Sequence, residues 1–222
     1  MKKILKILII EDYKMVVNGY ETLLKHTDFG CEFKIDIAYN CTDAHTKIEQ
    51  SSKGKSYDII FLDIQLPAST DGKLLSGEDL GIKINKLLPD AKILVNTFLT
   101  DNYRLFNILK SIKPNAMLTK NEAGSEEIVE ALKSIINGNL YYSNFILKLL
   151  NNDDYGKYKI DKTDRQLLYQ LSLGTKMKDL PNFLPLEMAG IEKRKRRLKR
   201  IFNIKTTGNK ELLGVAKEKG FI

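Results

Sequence analysis

The chain has 222 residues, 43% of them hydrophobic and 29% charged. That is the balance of a soluble globular protein with room for one large domain or two ordinary ones. The two cysteines, Cys31 and Cys41, show no CxxC spacing and no histidine cluster, which argues against a disulfide framework or a zinc site and fits a reducing cytoplasm. The net charge of +8 is unevenly placed: residues 1–152 hold 19 Lys+Arg and 19 Asp+Glu, so the whole excess lies in the last third. A neutral module followed by a basic one suggests that only the second meets a polyanion.

In chain order, the opening MKKILKILII imitates a signal peptide. Lys6 interrupts its apolar run, and Glu11-Asp12 ends it before any small-residue cleavage site. No segment approaches the roughly 18 uninterrupted apolar residues of a membrane span, so a first strand over 4–10 is expected instead. Further strands are predicted at 33–39, 58–63, 92–97 and 116–119. Helical spacing of apolar residues falls between them at 14–26, 42–51, 78–88, 102–111 and 125–137. Five βα units predict a parallel sheet with helices on both faces, a doubly wound α/β fold. The runs at 7–10 and 59–62 are continuously apolar, as central strands should be.

Residues 137–161 begin as a turn, pass through a short apolar stretch and become polar. A linker is placed over 141–160, its polar part from about 150. Beyond it, four short helices are predicted at 163–172, 176–180, 187–202 and 208–219. The division expected is thus 1–140, a linker at 141–160, and 161–222.

In a parallel sheet all strands of this kind end at one edge. The first ends on Glu11 and Asp12, the third on Asp63, the fourth on Thr97 and the fifth on Lys120. Three carboxylates meeting there would repel one another. A hard divalent cation such as Mg²⁺ compensates them and prefers oxygen ligands. With a lysine and a threonine hydroxyl beside it, this describes a site where a phosphoryl group could sit on an aspartate. Singly, each residue has a plainer reading: an acidic pair caps a helix, and an aspartate makes a turn. The set, in order at consecutive strand ends, is harder to attribute to chance.

The segments ILIIED, DIIFLDIQLP, ILVNT and AMLTK resemble the receiver domain of two-component response regulators over roughly residues 4–138. The resemblance implies a flavodoxin-like (βα)5 fold, with Asp63 as phosphoacceptor. It implies Mg²⁺ held by Glu11, Asp12, Asp63 and the carbonyl of Gln65, and Thr97 and Lys120 as phosphate contacts. A sensor histidine kinase is the implied partner and the cytoplasm the implied location. The chain departs from the family pattern at Phe98, whose bulk could restrict access by a phosphodonor or water, and at Met117, in place of an aromatic. It departs also in the long loop ASTDGKLLSGEDLG after Pro67.

The stretch GIEKRKRRLKRIF carries Lys193, Arg194, Lys195, Arg196, Arg197, Lys199 and Arg200, with Ile191, Leu198 and Phe202 on one stripe. Such a charge run is usually a solvated face. Like charges at i, i+4 destabilise an isolated helix, however, and this density calls for a counterion source. A short helix, a turn with Pro181 and Pro185, and this helix form a helix-turn-helix pattern whose second helix could enter the major groove of double-stranded DNA. Residues 161–222 resemble the LuxR-type DNA-binding domain of NarL/FixJ-class regulators, with Glu187 and Gly190 replacing the usual Ser and Thr. The resemblance implies a C-terminal all-α four-helix domain and a homodimer on DNA.

The function expected is therefore a DNA-binding regulator switched by phosphorylation of Asp63, catalysing only its own phosphotransfer and dephosphorylation. The alternative is a phosphorylation-independent DNA-binding regulator whose receiver dimerises or senses. A phosphohydrolase with an aspartyl-phosphate intermediate ranks lower, because Gln65 stands where such enzymes place a second aspartate.

Overall fold

The computed structural model describes residues 2–151, 160–206 and 208–222. It divides into two compact units, Met1–Thr100 with Ile108–Asn151, and Asp101–Asn107 with Asn152–Ile222. Among the described residues no helix is long and apolar enough to cross a membrane.

The first unit carries β1 (Lys3–Ile10), α1 (Lys14–His26), β2 (Cys31–Ala38), α2 (Cys41–Ser52), β3 (Ile59–Leu62) and α3 (Gly77–Leu87). These are followed by β4 (Lys92–Thr97), α4 (Asn102–Ile112), of which only the part from Ile108 belongs to this unit, β5 (Ala116–Thr119), α5 (Ser125–Ile136), β6 (Tyr141–Tyr142) and α6 (Asn144–Leu150). The strands form one six-stranded parallel sheet in the order β2-β1-β3-β4-β5-β6. This is the doubly wound, flavodoxin-like sheet expected, with one strand more.

The apolar runs take the central places. Ile7 to Ile10 are fully buried between β2 and β3, and Ile59 to Leu62 lie between β1 and β4. Helices cover them through residues at helical spacing: α1 buries Val17, Tyr20 and Leu24, and α5 buries Ile128, Ala131, Leu132 and Ile135. Local signals fix the helix starts. The Asn40 side chain accepts from the Asp43 amide at α2, and the Ser76 side chain accepts from the Glu78 amide at α3. The chain runs outward from β1 to β2 and returns to β3 on the other side. The crevice beyond the carboxyl ends of β1 and β3 is therefore a topological switch point, where open α/β sheets bind ligands.

One boundary differs from expectation. Residues assigned to a linker over 141–160 include β6, which pairs parallel with β5, and α6, which buries Ile146 and Leu149. The remainder of that span, 152–159, lies outside the described residues.

The second unit has α7 (Lys162–Ser172), a 3₁₀ turn (Met177–Asn182), α8 (Met188–Ile201) and α9 (Lys210–Glu218). The expected helix at 176–180 is this 3₁₀ turn, with Pro181 inside it; proline cannot supply the amide an α-helix would need there. The core joins Leu167, Leu168 and Leu171 of α7 to Leu180, to Ile191 and Leu198 of α8, and to Leu212 of α9. Helix α8 ends where Asn203 takes φ 55°. The Asn203 amide donates to the Arg200 carbonyl and the Ile204 amide to the Lys199 carbonyl, a paired closure that needs a left-handed residue, which asparagine tolerates.

Candidate functional site

Glu11 and Asp12 follow β1, Asp63 follows β3 and Lys120 follows β5, so the parallel sheet delivers all four side chains to one edge. One ligand atom from each of Glu11, Asp12 and Asp63 lies within 4.8 Å of the others. The Lys120 ammonium bridges two of them, donating to Glu11 Oε2 at 2.6 Å and Asp63 Oδ2 at 2.8 Å. These three side chains are almost wholly buried.

Asp63 is held rigidly. Its Oδ1 accepts from the Ile64 amide at 2.6 Å and the Gln65 amide at 3.2 Å, leaving Oδ2 to Lys120. The strand end is held from outside by Gly77 at the start of α3, whose amide donates to the Ile64 carbonyl. A Cβ on Gly77 would overlap the Asp63 carbonyl oxygen, so only glycine lets α3 come this close. Sequence reading missed Gly77; its signal was a glycine directly after the Ser76 cap, at the close of the long loop.

The charges are under-compensated. Three carboxylates face one ammonium. Burial pushes the Glu11 carboxyl above its ordinary range; Lys120 opposes this and the Asp63 charge adds to it. Asp12 is pushed up the same way, by burial first and then by Asp63. Asp12 Oδ1 is buried without a hydrogen-bond partner. An unpartnered carboxylate oxygen beside two further carboxylates is a poor resting state unless a cation completes it. The donors are all hard oxygens, which suits Mg²⁺.

Thr97 ends β4 fully buried, its hydroxyl accepting from the Leu99 amide at 3.4 Å and its carbonyl accepting from the Lys120 amide at 2.8 Å. Met117, two residues before Thr119 on β5, is fully buried. Phe98 is 45% exposed, its ring centroid 4.9 Å from the Lys120 ammonium. The long loop after Pro67 is ordered by its own bonds: the Ser69 amide donates to the Leu74 carbonyl at 2.7 Å, and Leu66 and Leu74 are buried.

The second unit holds the basic helix α8, and the structure sorts its cations into two sets. Arg194 donates to both oxygens of Asp161 and to Asp164 Oδ1, at 2.8–2.9 Å. Arg197 donates to Asp164 Oδ2 at 2.8 Å. Asp164 is completely buried. These two arginines, expected with the rest to face DNA, are turned toward the start of α7, because position 194 lies on the same helical stripe as the core residues Ile191 and Leu198. The other set, Lys195, Arg196, Lys199 and Arg200, lines an open groove of about 770 Å³. Lys193 is exposed as well. Part-burial pushes the Lys195 ammonium below its ordinary range, the Lys199 charge adding to this and the Glu192 charge opposing it.

No family model matches the chain. It is 23% identical over 214 residues to the oxygen regulatory protein NreC of Staphylococcus carnosus, a match covering 91% of this chain and 93% of that protein. The NreC protein of Staphylococcus epidermidis aligns over 215 residues at the same identity. Among solved structures, RcsB from Salmonella enterica serovar Typhimurium, bound to promoter rprA with the phosphomimetic BeF3-, superposes with TM-score 0.68. That superposition has 16% identity and covers 95% of this chain and 96% of RcsB. A LuxR-family two-component response regulator from Aurantimonas gives TM-score 0.54 at 19% identity, over 67% of this chain and 96% of the other. Over nearly its whole length the chain is thus similar to response regulators of this kind.

Within this site, the expected Glu11, Asp12, Asp63 and Lys120 are brought together, and Thr97 ends the neighbouring strand with its carbonyl bonded to Lys120. Gln65 is drawn in through its amide. The basic helix is not a uniform cationic face. Its partners Asp161 and Asp164 carried a sequence signal only as capping residues, since Asp161 accepts from the Asp164 amide and Asp164 from the Asp161 amide.

Proposed function

We propose that this protein is a DNA-binding response regulator whose output is switched by phosphorylation of Asp63, supplied by a sensor histidine kinase. The observation that carries the reading is the acidic cluster at the switch point, where Lys120 spans Glu11 and Asp63 while an oxygen of Asp12 stands unpartnered. The Asp63 carboxylate attacks phosphorus and the bond from phosphorus to the donor's histidine nitrogen breaks, the electron pair leaving with the nitrogen. The Ile64 and Gln65 amides fix the carboxylate's orientation. Lys120, already within hydrogen-bond distance of Asp63, faces the charge that arrives with the phosphoryl group.

Glu11, Asp12 and Asp63, with the Gln65 carbonyl, would hold a Mg²⁺ ion, which when bound neutralises charge on the phosphoryl oxygens. The phosphoryl group adds about −1.5 to −2 charge and competes for Lys120 with Glu11. Thr97, one strand away, is the hydroxyl placed to follow it. The resulting shift is read as a change in dimerisation or domain packing, and so in DNA binding as a homodimer. The protein's chemistry is confined to its own phosphotransfer and dephosphorylation. In the second unit, Lys193, Lys195, Arg196, Lys199 and Arg200 contact DNA, while Arg194 and Arg197 seat the helix that carries them. A DNA-bound neighbour, RcsB on its promoter, supports this assignment.

The test is intact mass after incubation with Mg²⁺ and acetyl phosphate, with Asp63→Asn beside the native chain. A phosphate-sized gain in the native chain alone is expected. If no gain occurs, and beryllofluoride leaves both dimerisation and DNA affinity unchanged, the switch at Asp63 is excluded and a phosphorylation-independent regulator takes its place.

A further inference from the structure

The exposed stripe of α8 carries one acid among its cations. Residues 192, 195, 196, 199 and 200 follow one another at steps of three, one, three and one, which is one face of an α-helix. They line the same open groove. At its N-terminal end stands Glu192, exposed, in the second turn of the helix. No described residue hydrogen-bonds its carboxylate or comes within ion-pair distance; Arg196, one turn on, does not close onto it.

A carboxylate here is out of place for phosphate binding alone. A polyanion drawn to Lys195, Arg196, Lys199 and Arg200 would bring its phosphates against Glu192 and lose affinity to that repulsion. The charge is tolerable where it accepts a hydrogen bond. On the edges of a DNA duplex in the major groove, the donors are the N4 amino group of cytosine and the N6 amino group of adenine. Adenine presents its N7 acceptor beside N6, which a carboxylate would oppose, whereas the cytosine edge carries no acceptor. Position also favours a base over the backbone, because the N-terminal part of a recognition helix reaches base edges while its flanks meet phosphates.

We infer that Glu192 is a specificity-determining residue of this protein, accepting a hydrogen bond from cytosine N4 in the major groove while the cations further along the stripe hold the phosphates. This rests on the DNA-binding reading above and adds which base is read, and by which residue.

The experiment is selection of bound duplexes from a pool with a randomised core, using the full chain treated with beryllofluoride, for the native protein and Glu192→Gln. The native protein is expected to enrich cytosine at one position per half-site. Glutamine pairs with adenine N6 and N7, so E192Q should move the preference at that position from cytosine to adenine. The ratio of affinities for the two duplexes should change roughly tenfold or more. If E192Q binds every duplex more tightly by one common factor with base preferences unaltered, Glu192 is only a repulsive bystander and the inference is overturned. If the native protein retains no duplex at low salt, the DNA-binding reading itself falls, and this inference with it.

Discussion

Each unit of the molecule holds a constellation of opposite charges, buried throughout at Lys120, Glu11 and Asp63 in the first and only at Asp164 in the second, and the two are mirror images with different ends. In the first unit one ammonium, Lys120, lies among the carboxylates of Glu11, Asp12 and Asp63. In the second, Asp161 and Asp164 are met by Arg194 and Arg197. The second is neutral, and all four carboxylate oxygens accept a hydrogen bond. Arg194 is pushed above its ordinary range by the two aspartates, against the effect of its own part-burial. The first is negative, the Glu11 and Asp12 carboxyls are pushed up, and one oxygen of Asp12 has no partner. A closed set of ion pairs fixes geometry; an open one is set to receive another charge.

The sharpest way to break this comparison is to open the closed set. Asp164→Ala strips two arginines of a buried partner. Loss of one member of a fully buried pair costs about 3–5 kcal/mol, and the partial exposure of Arg197 reduces this to about 2–3 kcal/mol. Thermal or urea denaturation should show the second unit lose that much, with DNA binding falling as α8 loosens. A change within measurement error would mean that the network does not seat the helix.

Next in size is Gly77→Ala, which forces a methyl group against the Asp63 carbonyl. Overpacking of this kind costs about 1–3 kcal/mol. Since the strain falls on the strand end that carries Asp63, acetyl phosphate labelling should slow at least about tenfold, as expected when a reacting group is displaced. Labelling at the native rate would show that the close approach has no bearing on the site.

Asp12→Asn has the opposite sign for stability. The folded protein holds the Asp12 carboxyl above its ordinary 3.8, so it binds protons more readily than the unfolded chain. Stability is lost as pH rises from 3.8 through the raised value, and the full penalty is present at pH 7. Without Mg²⁺, the variant should melt higher than the native chain at pH 7 and equally near pH 3, while the stabilisation conferred by added Mg²⁺ should shrink. A lower melting temperature at pH 7 would show that the cluster is not strained by its charge.

The smallest effect separates the two sets of cations on α8. Arg196→Ala should leave stability unchanged and reduce the slope of log affinity against log salt by about 1. Arg194→Ala should lower stability and leave the slope alone. Equal slopes for both variants would dissolve the division between seating and binding cations.

Much of this was readable from residue types and spacing. Continuously apolar runs announced β1 and β3 as central strands. The carboxylates after them announced the edge, because parallel strands must end on the same side. Strand β6 was not readable: Tyr141–Tyr142 is too short to carry a period of two and exists only through its pairing with Ala116 and Met117 of β5. The apolar stretch of α6 was read as part of a linker, because what makes it helix and not connection is the burial of Ile146 and Leu149. The split among the basic residues of α8 was half visible, since Arg194 shares a stripe with Ile191 and Leu198. Which acids it would meet depended on residues some thirty positions earlier.

The sequence by itself determined the local physics: where strands and helices form, which strand ends carry charge, and that the positive excess lies in the last third. It did so because propensity, period and composition act over a few residues at a time. Only the tertiary structure decided which charges meet. Lys120 reaches Glu11 and Asp63 across 109 and 57 residues, and Gly77 admits α3 to the Asp63 carbonyl. Asp164 claims two of seven cations for the fold. Coulomb and hydrogen-bond energies depend on distance in space, and that distance is set by the packing of elements remote in the chain.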